Sequence, residues 1–147
     1  MWGIEILESL QNVSINLKAV YDTYLTEVEP ENYEQIFGWP VSAAPRFDVV
    51  LGDIYEHDWS DSDMIFCNST CFSAEMMERI YEKTLSCKKG TWFVTMSKRL
   101  PHAEKIIESG DGKNDEHLQW EFVLAIKLEM SWGKATVNLQ RKRMHPA

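Results

Sequence analysis

The stretch SDMIFCNSTCF, residues 62–72, places a short apolar run, Met64 to Cys67, directly before Asn68, Ser69, Thr70, Cys71 and Phe72. A run of that length, bounded by polar residues, reads as a buried strand. The next residue, Ser73, can cap a helix whose apolar face is Met77, Ile80, Tyr81, Thr84 and Leu85, with Gly90 as its C-terminal stop. A strand that leads through a polar elbow into a helix is the repeating unit of an open α/β sheet. Such sheets bind ligands at the carboxyl ends of their strands. Asn68 sits there and offers both a carbonyl acceptor and amide donors.

The pattern extends in both directions. Upstream, Phe47 to Leu51 reads as a strand stopped by Gly52 and Asp53, and residues 2–6 as another. Between them, Leu7, Leu10, Ser14, Leu17, Val20, Tyr21, Tyr24 and Val28 recur at helical spacing, and Pro30 is expected to close that helix. Residues 31–46 hold Gly38, Pro40 and Pro45 and read as a loop with room for one helical turn. Downstream, Thr91 to Met96 is a strand and Ala103 to Glu108 a short helix, followed by the mobile segment SGDGKND. Trp120 to Met130 and Lys134 to Gln140, around Ser131-Trp132-Gly133, form a β-hairpin. The four earlier strands are expected to be parallel, in a single domain spanning 1–147.

Composition narrows the function classes. A chain of 147 residues with 44% hydrophobic residues can bury a core. The net charge of −8 argues against nucleic-acid binding by bulk attraction and suits a basic protein partner. Only Arg141-Lys142-Arg143 concentrates positive charge, and it reads as a solvated C-terminal tail. Cys67, Cys71 and Cys87 fit neither a disulfide framework nor a zinc site, and each is expected buried or half-buried. The opening residues 1–8 carry two acids and no base, unlike a signal peptide, and no stretch has the length of a membrane span. Location in the nucleus or cytoplasm follows as an expectation.

Three polar residues end three successive strands. Glu5 can accept both hydroxyls of a ribose, or it can help start the helix that follows. Asp53 can accept from an adenine amino group, or serve as an ordinary turn aspartate. Asn68 is the third. There is no GxGxxG and no phosphate-binding loop, and the histidines at 57, 102, 117 and 145 lack metal-ligand spacing. No metal is expected; the aspartates of DWSDSD read as a solvated loop.

The segments WGIEILE, VLGDIYEHDW, SDMIFCNSTCF, LSCKKGTWFVTMSK and MSWGKATV resemble successive parts of the disruptor-of-telomeric-silencing family of histone lysine methyltransferases, from residue 2 to about 141. That resemblance implies a three-layer, Rossmann-like α/β sheet, mostly parallel with a C-terminal antiparallel hairpin, and S-adenosylmethionine as methyl donor. It implies that Glu5 binds the ribose, that Asp53 and Ile54 hold the adenine, and that Asn68 is the catalytic-site asparagine beside the donor. Phe72 and Trp132 would line the channel for the substrate lysine. The implied partner is a basic protein such as a histone or nucleosome. Two other readings stand beside it: a catalytically incompetent binding or dimerisation module, and a small-molecule methyltransferase.

The motif departs from the family at three places. Ser69 and Cys71 replace an asparagine and an alanine, and Thr70 replaces a phenylalanine. The family's channel tyrosine has no counterpart; Val137 or Asn138 lies near its place. The family's first strand and glycine-rich loop, which precede the ribose acid, are missing from this sequence. Weak or undetectable binding of S-adenosylmethionine is therefore expected. So is cover for the seam, either by direct pairing of residues 2–6 with 63–68 or by a homodimer.

Overall fold

The computed structural model describes residues 2–104, 118–131 and 133–143. The chain is mixed α/β, with two sheets, and forms two compact units, Met1–His57 and Asp58–Ala147.

In the first unit, β1 (Trp2–Glu5) leads into α1 (Glu8–Glu27) and α2 (Pro30–Phe37), a 3-10 turn at Val41–Ala43, and β2 (Asp48–Leu51). The two strands are parallel, from Trp2 opposite Asp48 to Glu5 opposite Leu51. A parallel pair needs a crossover, and the two helices supply it. Pro30 opens a helix instead of closing one: α1 has already stopped at Glu27, and Pro30 is the first residue of α2, where its missing N–H costs no hydrogen bond. Gly38 ends α2 in the left-handed region at φ 79°, so the expected loop holds an eight-residue helix.

Leu25, Tyr33 and Ala44 form the core of this unit, with Tyr21, Val28 and Val41 packed against them. The α1 periodicity is present, but its apolar stripe faces outward: Leu10, Val13, Leu17 and Val20 are exposed. Gln11, Ser14, Lys18 and Asp22 are the half-buried side, held by ion pairs from Lys18 to Asp22 and to Asp48 at the start of β2.

The second unit contains β3 (Met64–Cys67), α3 (Ala74–Thr84), β4 (Trp92–Met96), β5 (Trp120–Met130) and β6 (Gly133–Lys142), in the sheet order β3-β4-β6-β5. β3 and β4 are parallel, while β6 runs antiparallel to both its neighbours, so the C-terminal hairpin forms as expected. Ser73 caps α3 by accepting a hydrogen bond from the Met76 N–H at 3.1 Å.

The four parallel strands thus divide between two sheets, and this sheet order differs from the single sheet expected. Among the described residues β1 pairs with β2 and β3 with β4; residues 2–6 do not pair with 63–68. Each strand takes the neighbour that its own helical crossover delivers. Of the expected helix Ala103–Glu108, Glu104 makes a bridge to Glu121, and residues 105–108 lie outside the described residues, as does SGDGKND.

The basic segment is not a solvated tail. Arg141 and Lys142 belong to β6, and Lys142 is only 5% exposed. Its ammonium donates to the Thr84 and Leu85 carbonyls at the end of α3 and lies 5.5 Å from the centre of the Trp120 ring. Burial lowers its pKa. A cation there satisfies orphan carbonyls and the negative end of the helix dipole. α3 stops at Thr84, short of the expected stop at Gly90, which at φ 85° turns the chain toward β4.

A register shift between Phe122 and Leu124 decides which face β5 presents. Trp120 and Phe122 lie on the face of Lys142 and Gln140, the side on which α3 packs. Past the shift, Leu124, Ile126 and Leu128 sit opposite Leu139, Val137 and Ala135 on the other face. One extra residue flips the rest of a strand. β3 is not the buried strand expected: Met64 and Phe66 lie on that second face and are 65% and 62% exposed. Among the described residues, no helix is long and apolar enough to cross a membrane.

The three thiols are free and differ in environment: Cys87 is buried, Cys67 half-buried and Cys71, against expectation, exposed. Cys71 follows the last strand residue by four positions and sits on the turn. Burial pushes both the Cys67 and Cys87 thiols up to about 11. Only about 0.1% of such a thiol is ionised near pH 8, and the thiolate is the nucleophile. Iodoacetamide should therefore modify Cys71 first, with Cys67 and Cys87 lagging by at least tenfold until urea unfolds the chain. Equal labelling of all three, read by peptide mass, would contradict this burial pattern.

Candidate functional site at the strand ends

Glu5 and Asp53 lie at the carboxyl ends of adjacent parallel strands. The Gly52 N–H donates to the Glu5 carbonyl at 2.9 Å, continuing the ladder one step past β2 and setting Asp53 beside the end of β1. Both side chains are half-buried. The Glu5 Oε1 accepts from the Leu7 N–H at 2.9 Å, just ahead of α1, which realises the helix-starting role. The Asp53 Oδ1 accepts from the Tyr55 N–H at 2.8 Å, an Asx turn. Each carboxylate has about four lone-pair sites, so one local bond leaves capacity for a ligand. The local role and the binding role are compatible.

Two neighbours complete this corner. Ile54 follows Asp53 and is half-buried. The His57 ring lies so close over Gly52 that a Cβ there would fall 2.1 Å from its Nε2. A larger residue at 52 would have to push the His57 ring aside; the backbone there lies outside the left-handed region.

The second unit builds a different kind of strand end. The Ser69 N–H donates to the Cys67 carbonyl at 2.9 Å, closing a three-residue turn centred on Asn68. On the adjacent strand the Lys98 N–H donates to the Met96 carbonyl at 2.7 Å, closing another across Ser97, whose φ is 65°. A γ-turn with positive φ on a non-glycine residue is rare and strained. Three contacts hold it. The one hydrogen of the fully buried Ser69 hydroxyl is shared between the Met96 and Lys98 carbonyls at 2.7 and 3.0 Å, and the Ser97 N–H donates to the Thr136 carbonyl at 2.7 Å. Ser69 is the strap that ties the two strand ends together.

Asn68 and Thr70 are exposed on this rim and Phe72 is half-buried. The Thr70 hydroxyl donates to the Asn68 Oδ1 at 2.8 Å and lies 3.3 Å from the Ser97 hydroxyl. The Lys98 ammonium donates to the Phe72 carbonyl. Nothing in the sequence marked Ser97; its importance comes from a backbone angle. Trp132 lies outside the described residues. The Asp61 and Asp63 carboxylates of the acidic loop pair with Lys88 at 3.2 and 2.8 Å.

The residues proposed from sequence therefore form two groups, Glu5, Asp53 and Ile54 in one unit and Asn68 and Phe72 in the other. Fold and rim together define a mixed α/β protein whose parallel strand pairs end in hydrogen-bonding side chains. No protein-family model matches the chain, and no curated protein does so either.

Proposed function

We propose that the chain is a three-layer, Rossmann-like methyltransferase domain of the disruptor-of-telomeric-silencing type, acting on a lysine of a basic protein such as a histone. The observation that carries this is the pair of carboxylates, Glu5 and Asp53, at the carboxyl ends of adjacent parallel strands. That is where open α/β sheets hold a nucleoside. Glu5 would accept from the ribose hydroxyls, and Asp53 with Ile54 would hold the adenine. S-adenosylmethionine, when bound, supplies a methyl group on a positively charged sulfur. Asn68 would hydrogen-bond at the mouth of the channel, and Phe72 and Trp132 would exclude water from the lysine. Desolvation and alignment of the amine are the chemistry asked of these side chains. The charge of −8 suits a basic substrate, and a histone substrate would place the protein in the nucleus.

Titrating S-adenosylmethionine into the ¹⁵N-labelled chain tests the reading even if binding is weak. Amide shifts should concentrate at residues 5–7 and 52–54, the ends of the paired strands β1 and β2. Glu5→Ala should weaken binding tenfold or more, since charge-assisted hydrogen bonds contribute about 1.5–3 kcal/mol each. Shifts scattered over the surface, or none at millimolar ligand in a chain extended by the family's glycine-rich segment, would sink the proposal.

A second reading, a binding or dimerisation module without catalysis, is favoured by one observation. Met64, Phe66, Leu124, Ile126 and Leu128 leave an apolar sheet face exposed, as monomeric proteins seldom do. Concentration-dependent association in sedimentation, without any response to S-adenosylmethionine, would select it.

A further inference from the structure

We infer that Thr70 and Ser97 are positioning residues that fix the Asn68 amide so that its N–H donors, rather than its carbonyl oxygen, face an incoming group. The Thr70 hydroxyl has one hydrogen, and that hydrogen goes to the Asn68 Oδ1 at 2.8 Å. Its oxygen can then serve Ser97, 3.3 Å away, only as an acceptor. The result is a directed chain, Ser97 to Thr70 to Asn68, with every proton assigned. Its far end is anchored by backbone strain: Ser97 is held at φ 65° by the Ser69 strap and the bond to Thr136. Strain of this kind persists only where surrounding contacts impose it, and it clusters at functional sites. With its carbonyl engaged, Asn68 offers two N–H groups to an acceptor oxygen on the ligand, such as a carboxylate or a peptide carbonyl. The role in ligand binding rests on the methyltransferase reading; the relay itself does not.

The relay is tested in the ligand-free ¹⁵N-labelled chain through the Asn68 side-chain amide pair. In the unmodified protein the bond to Oδ1 should shift the two Nδ2 protons away from free-amide positions, while both, facing solvent, exchange freely. Thr70→Val, which keeps the shape and removes the hydroxyl, should collapse the pair toward free-amide positions, whereas Thr70→Ser should preserve it. Ser97→Gly, which accepts positive φ without strain, should raise the unfolding midpoint yet loosen the same amide. An Asn68 pair unchanged by Thr70→Val would overturn the relay. In S-adenosylmethionine titrations, Thr70→Val should weaken binding about threefold to tenfold, the equivalent of one hydrogen bond, with Thr70→Ser restoring it. Unaltered affinity in Thr70→Val would overturn its positioning role. An amide that responds to Thr70→Val in a chain that binds no S-adenosylmethionine, even when extended by the family's glycine-rich segment, would remove the methyltransferase reading and the ligand role with it, leaving the relay as a structural feature.

Discussion

Trp120→Ala is expected to destabilise the unit Asp58–Ala147 by about 3–5 kcal/mol, the usual range for deleting a fully buried aromatic ring. Trp120 has no exposed surface, meets Phe93 edge-on at a centroid distance of 5.8 Å, and lies beneath the Lys142 ammonium. The substitution would remove the wall of that core and the ring that stabilises a buried cation. Its Nε1 is buried without a hydrogen-bond partner among the described residues. Trp120→Phe should therefore cost far less, about 1–2 kcal/mol, because the smaller ring also removes an unsatisfied donor. Urea denaturation provides the measurement: with m near about 2 kcal/mol/M, the alanine variant should unfold about 1.5–2.5 M earlier. Equal losses in the two variants would mean that the indole N–H has a partner.

The second large effect is expected at Gln140, also fully buried. Its Oε1 accepts from the Leu100 N–H at 2.6 Å, and its Nε2 donates to the Phe93 and Asn138 carbonyls at 3.0 and 2.9 Å. One side chain therefore ties the segment after β4 to two strands. Gln140→Met has similar volume but strands the Leu100 N–H in a dry site, and should cost about 2–4 kcal/mol. Gln140→Glu sharpens the test through pH. Burial and two carbonyls facing the new carboxyl should raise its pKa in the folded chain. The protonated acid can still donate to one carbonyl. The folded state then holds more protons than the unfolded one, so stability should be greatest below the ordinary carboxyl range and fall as pH rises through it. A pH-independent loss between about pH 4 and 7, measured by thermal unfolding, would contradict this geometry.

The local elements were legible because their signals are local. Met64–Cys67 followed by Ser73 and the spacing of Met77, Ile80 and Thr84 predict a strand, a cap and a buried helix face, and all three are present. The hairpin followed from two β-rich runs around a glycine turn. Pro30 was misread because proline both ends helices and begins them; its role depends on whether the preceding helix has already stopped. The placement of Glu5 and Asp53 on neighbouring strand ends was also foreseeable, since each follows its strand at once.

What the sequence by itself determined is the position of most elements and the polar character of their carboxyl ends, because capping, turn chemistry and apolar periodicity act over a few residues. Only the tertiary structure decided three other things. It divided the parallel strands into two sheets, each strand pairing with the neighbour its crossover returned. It turned Lys142 from an apparent tail residue into a buried cap, because the α3 carbonyls and the Trp120 ring come from 57 or 58 and 22 residues away. It set Ser97 at φ 65° beside Thr70 and Asn68, through bonds that span 27 and 29 residues. Register, burial of charge and backbone strain are all settled by partners distant in the chain, and no short stretch of residues encodes them.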